Sequence, residues 1–121
     1  KPQHSPLQRI YKACLYSRDG LAAAIKNEAA FRQELVLFLI ALPLIFYIPI
    51  SLEAKLLLLT AHSIVLIIEI INSAIEAVVD LVSPDFRELA KRAKDMGSAA
   101  VFLSLLLVSC LWGIVVISFF F

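Results

Sequence analysis

The sequence predicts an all-α membrane protein with three transmembrane helices and an N-terminal amphipathic surface helix. Three observations carry this. Hydrophobic residues make up 61% of the 121, and the mean hydropathy is +0.90; soluble domains are about 45–50% apolar. Three apolar stretches of roughly 18 residues or more, each long enough to cross a hydrocarbon core, are separated by short polar segments. Lys and Arg are gathered rather than spread: of eleven, six precede Leu35 and four (Arg87, Lys91, Arg92, Lys94) lie between the second and third apolar stretches.

Residues 1–34 are the surface segment. Leu7, Ile10, Tyr11, Cys14, Leu15, Leu21, Ala22, Ile25 and Ala29 recur at helical spacing, with Arg9, Lys12, Arg18, Lys26, Glu28 and Arg32 over much of the remainder. A basic amphipathic helix of this kind lies on an anionic membrane surface. Ser17-Arg18-Asp19-Gly20 is expected to break it into two shorter helices. The N-terminus lacks a short apolar core followed by a small-residue cleavage site, so no signal peptide is expected. Span 1 covers 35–52, where Pro43 and Pro49 are expected to kink or shorten the helix. Span 2 covers 54–82, after a turn marked by Glu53 and Lys55. Ser83-Pro84-Asp85 reads as a helix start, with Ser as N-cap and Pro at the first helical position, which makes 83–95 a polar loop and helix. Span 3 covers 96–121 and carries no charge after Asp95. By cation placement the N-terminal segment and the 83–95 loop are cytoplasmic and the C-terminus is on the far side. The whole of 1–121 reads as one domain.

Composition also excludes. With three glycines (Gly20, Gly97, Gly113) the chain has neither G-x-x-x-x-G-K-[ST] nor G-x-G-x-x-G, so any nucleotide site must be built from helices. Cys14 and Cys110 are in no CxxC or Cys/His cluster and lie on opposite sides of two predicted spans, which argues against a disulfide or a zinc site. The net charge is only +1, and no nucleic-acid partner is expected.

Span 2 carries an acidic stripe. At 100° per residue, Glu76 and Asp80 each fall within about 20° of Glu69, and Asn72 about 60° to one side. A charge at the bilayer centre costs roughly 3 kcal/mol or more, so such residues face protein or water and mark functional sites. The bland alternative is polar glue between helices in an oligomer, but three carboxylates on one face need cations, protons or basic partners. His62, about two turns further along the stripe, reads as a packed or hydrogen-bonded histidine. The cytoplasmic cations serve topology and anionic lipid. Beside carboxylates, they also suit a phosphate-bearing ligand and its Mg²⁺, which takes one or two carboxylates plus phosphate oxygens. Glu28 and Arg32, spaced i,i+4, read either as a surface ion pair or as placing a carboxylate level with Glu76, where both could share Mg²⁺.

Three stretches together resemble the small prokaryotic diacylglycerol kinases: Asn27-Glu-Ala-Ala-Phe-Arg-Gln-Glu34, Glu69-Ile-Ile-Asn-Ser-Ala-Ile-Glu-Ala-Val-Val-Asp80 and Arg92-Ala-Lys-Asp-Met-Gly-Ser-Ala-Ala100. The likeness runs from Arg9 to the last span. It implies a homotrimer in the bacterial inner membrane, with active sites at subunit interfaces that transfer the γ-phosphate of MgATP to diacylglycerol. It further implies Glu69 as general base, and Glu28 and Glu76 as metal-binding carboxylates. Arg9, Tyr16, Lys94 and Asp95 would surround the nucleotide, with Glu28, Glu76, Asp85 and Arg87 also on the nucleotide side. Arg9, Ser17, Arg32, Glu34, Glu69 and Ser98 would meet the lipid substrate, and Asn72 and Asp80 would support the site. A carboxylate can accept the proton that an alcohol loses as it attacks phosphorus, and Glu69, two turns inside Glu76, lies at a depth that a lipid headgroup hydroxyl can reach. The nearest rival is an undecaprenol kinase of the same fold. Two rivals of other classes are a proton- or cation-coupled transporter using Glu69 and Glu76 as a relay, and a structural assembly subunit.

Overall fold

The computed structural model describes residues 3–85 and 87–121. They form four helices, α1 (Pro6–Asn27), α2 (Ala29–Tyr47), α3 (Leu52–Val82) and α4 (Glu88–Phe120), with no strand among the described residues. The last three are long and apolar enough to cross a membrane.

A capping box starts α1. Ser5 Oγ accepts from the Gln8 N–H at 3.2 Å and Gln8 Oε1 accepts from the Ser5 N–H at 3.0 Å, with Pro6 in the first turn. The helix then runs unbroken through Ser17–Gly20, where the sequence suggested a break. Ser17 turns its hydroxyl back onto the Ala13 carbonyl at 2.8 Å, leaving the backbone ladder intact, and a single glycine costs a helix only about 1 kcal/mol. The break comes instead at Glu28, whose backbone is extended (φ −116°, ψ 105°). Its N–H closes α1 on the Ala24 carbonyl at 3.0 Å, and its carbonyl opens α2 by accepting from Arg32 at 3.1 Å. The Arg32 guanidinium holds the bend: Nη1 donates to the Ile25 and Lys26 carbonyls at 2.8 and 3.1 Å, satisfying acceptors that the end of α1 leaves open. Residues 29–34 are therefore the first turns of the spanning helix, not the end of the surface helix.

Pro43 is accommodated inside α2. Pro49 acts as a stop, because the residue before a proline is driven out of the helical region, and Ile48 is extended at φ −70°, ψ 142°. Lys55 Nζ donates to the Phe46 carbonyl at 2.9 Å, tying the end of α2 to the start of α3. Ser51 caps α3 through a 3.1 Å bond from the Ala54 N–H. At the other end Ser83 closes α3 instead of opening a new helix: its N–H donates to the Val79 carbonyl at 2.8 Å, and Pro84 follows as a terminator. The polar segment expected at 83–95 is thus a short link, and residues 88–95 are the first two turns of α4.

α4 packs along α3, α2 packs on α3, and α1 meets principally α2. Two small clusters form the apolar core: Ala41, Ile45 and Leu58, and Ala61, Val65 and Val108. Trp112 contacts both and donates Nε1–H to His62 Nε2 at 2.9 Å, which makes His62 a hydrogen-bonded packing residue between α3 and α4. The buried positions of α3 are Leu58, Ala61, Val65 and Glu69, at helical spacing. Glu69 therefore occupies a core position, 5% exposed, where the apolar interior gives out.

Candidate active site

α3 orders the site by depth. Glu69 is buried, Asn72 and Glu76 are half-buried, and Asp80 is exposed, over a rise of about 16 Å along the helix. Two neighbouring helices add carboxylates. Glu34 on α2, Glu28 at the α1–α2 bend and Glu76 all lie within electrostatic range of Glu69. The three ion pairs among the described residues, Arg18–Asp19 (3.4 Å), Lys91–Asp95 (2.6 Å) and Lys94–Asp80 (2.6 Å), include none of these four glutamates. The Glu28–Arg32 pair suggested by the i,i+4 spacing is not formed, because Arg32 caps α1.

Asn72 is the polar contact to Glu76. Its Nδ2 donates to Glu76 Oε1 at 3.3 Å, while its buried Oδ1 has no hydrogen-bond partner. Facing that oxygen is Gly97 of α4, where a Cβ would overlap it. No three acidic, His or Cys side chains converge as a ready-made metal cage among the described residues. A Mg²⁺ that keeps waters and phosphate oxygens needs only one or two carboxylates. Glu28 and Glu76, both within electrostatic range of Glu69, provide hard oxygen donors, so the residues present fit the ion.

Beyond Glu76 the C-terminal end of α3, the link and the start of α4 enclose a cleft of about 280 Å³ whose charged lining is Asp80, Asp85, Arg87, Lys91, Lys94 and Asp95. The Asp80–Lys94 pair crosses it from α3 to α4, and Lys94 also lies within electrostatic range of Glu76. The sequence-derived residues Asp85, Arg87, Lys94 and Asp95 thus share one cleft at the mouth of the acidic stripe. An apolar groove of about 410 Å³ runs between α1, α2 and α3; Leu66, Ile67 and Ile70 on its wall are within one turn of Glu69.

Arg9, Tyr16 and Ser17 are not gathered here. They stand exposed on α1, which packs on α2, and the Ser17 hydroxyl is taken by its own helix. Ser98 is exposed on α4, beside buried Gly97. The motif spacing gave no sign of two contacts that shape the site, Gly97 on Asn72 and Trp112 on His62, because each depends on the register between α3 and α4.

A bundle with three helices long and apolar enough to span, and a graded row of carboxylates leading from a charged cleft into its interior, defines a multi-pass membrane protein. The family model for prokaryotic diacylglycerol kinase matches residues 15–116, and the chain belongs to that family. It is 46% identical over 112 residues to the diacylglycerol kinase of Escherichia coli (strain K12), covering 93% of this chain and 92% of that one. It is 41% identical over 111 residues to the Pseudomonas aeruginosa diacylglycerol kinase, covering 92% and 90%. With the Helicobacter pylori (strain 26695) diacylglycerol kinase the identity is 42% over 113 residues, covering 93% and 88%. Three spanning helices and bacterial relatives fit a multi-pass protein of the bacterial inner membrane.

Proposed function

We propose that this protein transfers the γ-phosphate of ATP to the free hydroxyl of diacylglycerol, releasing ADP and phosphatidic acid, at the cytoplasmic face of the membrane. The observation that carries this reading is the continuity of one helix. α3 holds a buried carboxylate, Glu69, beside an apolar groove, and a cation-bearing cleft at its outer end. The groove, on the α1–α2 side of α3, suits acyl chains and the cleft, on its α4 side, suits phosphates, so the helix that carries Glu69 offers a surface to each substrate.

In the reaction, the lipid oxygen attacks the γ-phosphorus. A new O–P bond forms as the bond to the bridging β–γ oxygen breaks, and the electron pair leaves on ADP. Glu69 takes the hydroxyl proton. Lys94 and Arg87 lie where they can meet phosphate charge, Lys94 exchanging Asp80 for a phosphate oxygen, which makes positioning and charge neutralisation the main source of rate. Glu28 and Glu76 would hold Mg²⁺, which when bound supplies positive charge to the ATP phosphates. Asn72 orients Glu76 through its amide. Orientation follows from the cation-rich N-terminal segment and link on the cytoplasmic side, and the active form is a homotrimer whose sites are completed between subunits.

The test is transfer of labelled phosphate from ATP to a panel of lipid alcohols in mixed micelles. Diacylglycerol should be labelled by the wild type, and Glu69→Gln should lower that turnover by about 10²–10⁴-fold while the variant still assembles and binds MgATP. Labelling of undecaprenol alone would overturn the substrate, and near-normal turnover of the variant would remove Glu69 as the base.

A further inference from the structure

We propose that Gly97 is a positioning residue for Glu76, acting through Asn72. The inference deepens the reading above and rests on it in one respect, that Glu76 is a metal-holding carboxylate.

Gly97 is buried on α4 directly opposite the Asn72 side chain of α3. A Cβ at 97 would overlap Asn72 Oδ1 and come within 3.3 Å of Cγ. The missing side chain therefore makes a notch, and the Asn72 amide fills it. Seated there, the amide has one polar outlet: Nδ2 points along α3 to Glu76 Oε1, 3.3 Å away and one turn on. Glu76 is in none of the ion pairs among the described residues, and this amide is the one hydrogen-bond partner of its side chain among them.

The arrangement is expensive for a helix pair selected only to pack. Glycine weakens a helix interior, and the Asn72 Oδ1 is buried without a partner, a costly state for an amide. An apolar pair at these two positions would relieve both penalties. Both arise from the same act, aiming the amide at Glu76, and penalties of this kind gather where a site is being held in shape. At Gly20 and Gly113 a Cβ would point into open space; among the three glycines this steric demand is peculiar to Gly97.

The test uses the full chain in detergent micelles, with [¹⁵N]Asn labelling. The chain has two asparagines, Asn27 and Asn72, so Asn72→Ala assigns the Asn72 side-chain signal. Glu76→Gln shows how that signal moves when the carboxylate is neutralised. Gly97→Ala should displace the Asn72 amide resonance. It should also raise the Mn²⁺ concentration for half-saturation, read by electron paramagnetic resonance with the metal alone, by roughly 10-fold or more. In the Asn72→Ala background, where the overlap is gone, Gly97→Ala should change Mn²⁺ binding less than twofold. Equal losses in both backgrounds would assign Gly97 to packing and overturn the proposal, as would an unmoved Asn72 resonance. Should Gly97→Ala fail to assemble, the double variant must assemble; its failure too would overturn the proposal. If Glu76→Gln leaves Mn²⁺ binding intact, the metal reading falls, and the Asn72 resonance in Gly97→Ala still decides the positioning role.

Discussion

Glu69 stands where a core leucine would serve stability better. The stripe that places it there could be read directly from sequence, since Glu69, Asn72, Glu76 and Asp80 share a face in any α-helix, and α3 is a regular helix throughout. Arg32 is a different case. Its spacing from Glu28 suggested an ion pair, but the side chain turns back to the Ile25 and Lys26 carbonyls, because a helix end leaves acceptors that a guanidinium satisfies with two bonds. No i,i+4 rule anticipates that contact, which exists only once the chain has bent at Glu28. Arg32→Ala should therefore loosen the end of α1, costing about 1 kcal/mol for an exposed charge-assisted contact. Hydrogen exchange measures this: the amides of residues 25–28 should lose protection several-fold, with Arg32→Lys intermediate. Unchanged protection with a raised KM for lipid would assign Arg32 to substrate binding alone.

The three spanning helices and the helical surface segment were legible because apolar length and period leave few alternatives once the chain is known to need a membrane. Their ends were less so. Ser17-Arg18-Asp19-Gly20 has the composition of a turn, and Ser83-Pro84-Asp85 that of a helix start, yet α1 passes through the first and α3 stops at the second. In both places bonding overrides local composition: the Ser17 hydroxyl bonds back onto the Ala13 carbonyl while the helix continues to Asn27, and the Ser83 N–H is already committed to the Val79 carbonyl. Gly20 follows from this. It sits in helical conformation without positive φ, and a Cβ there would meet nothing within 4 Å. Gly20→Ala should stabilise α1 by about 0.5–1 kcal/mol, since alanine loses less chain entropy on ordering. Reversible unfolding in mixed micelles would show it, with activity retained. Destabilisation would mean that another copy of the chain packs closely on Gly20.

A single copy brings together the α3–α4 half of the site: Glu69, Glu76, Lys94 and Asp95, with Glu28 and Glu34 from the bend and α2. It does not bring Arg9 and Tyr16 to that half, since α1 packs principally on α2 and both residues are exposed. The two small apolar clusters leave Leu37, Ile40, Leu57, Phe102 and Leu103, among others, uncovered along the spans. Lipid covers such surface as readily as protein does, so exposure alone does not demand an oligomer. A site that needed residues of both α1 and α4 would demand one. If the nucleotide needs both Arg9 and Lys94, α1 of one subunit must reach the α3–α4 edge of another, a heterologous contact that closes as a ring. Mixing distinguishes this from a self-sufficient subunit. Arg9→Ala and Glu69→Gln should each be nearly inactive alone. Unfolded together at equal ratio and reassembled, they should recover up to roughly a quarter of the wild-type rate, since random pairing gives one neighbour pair in four an intact half from each side. Each variant reassembled alone supplies the baseline. Recovery no greater than the sum of the two would mean that Arg9 and Glu69 serve the same subunit, and the α1–α4 gap would then have to close within one chain.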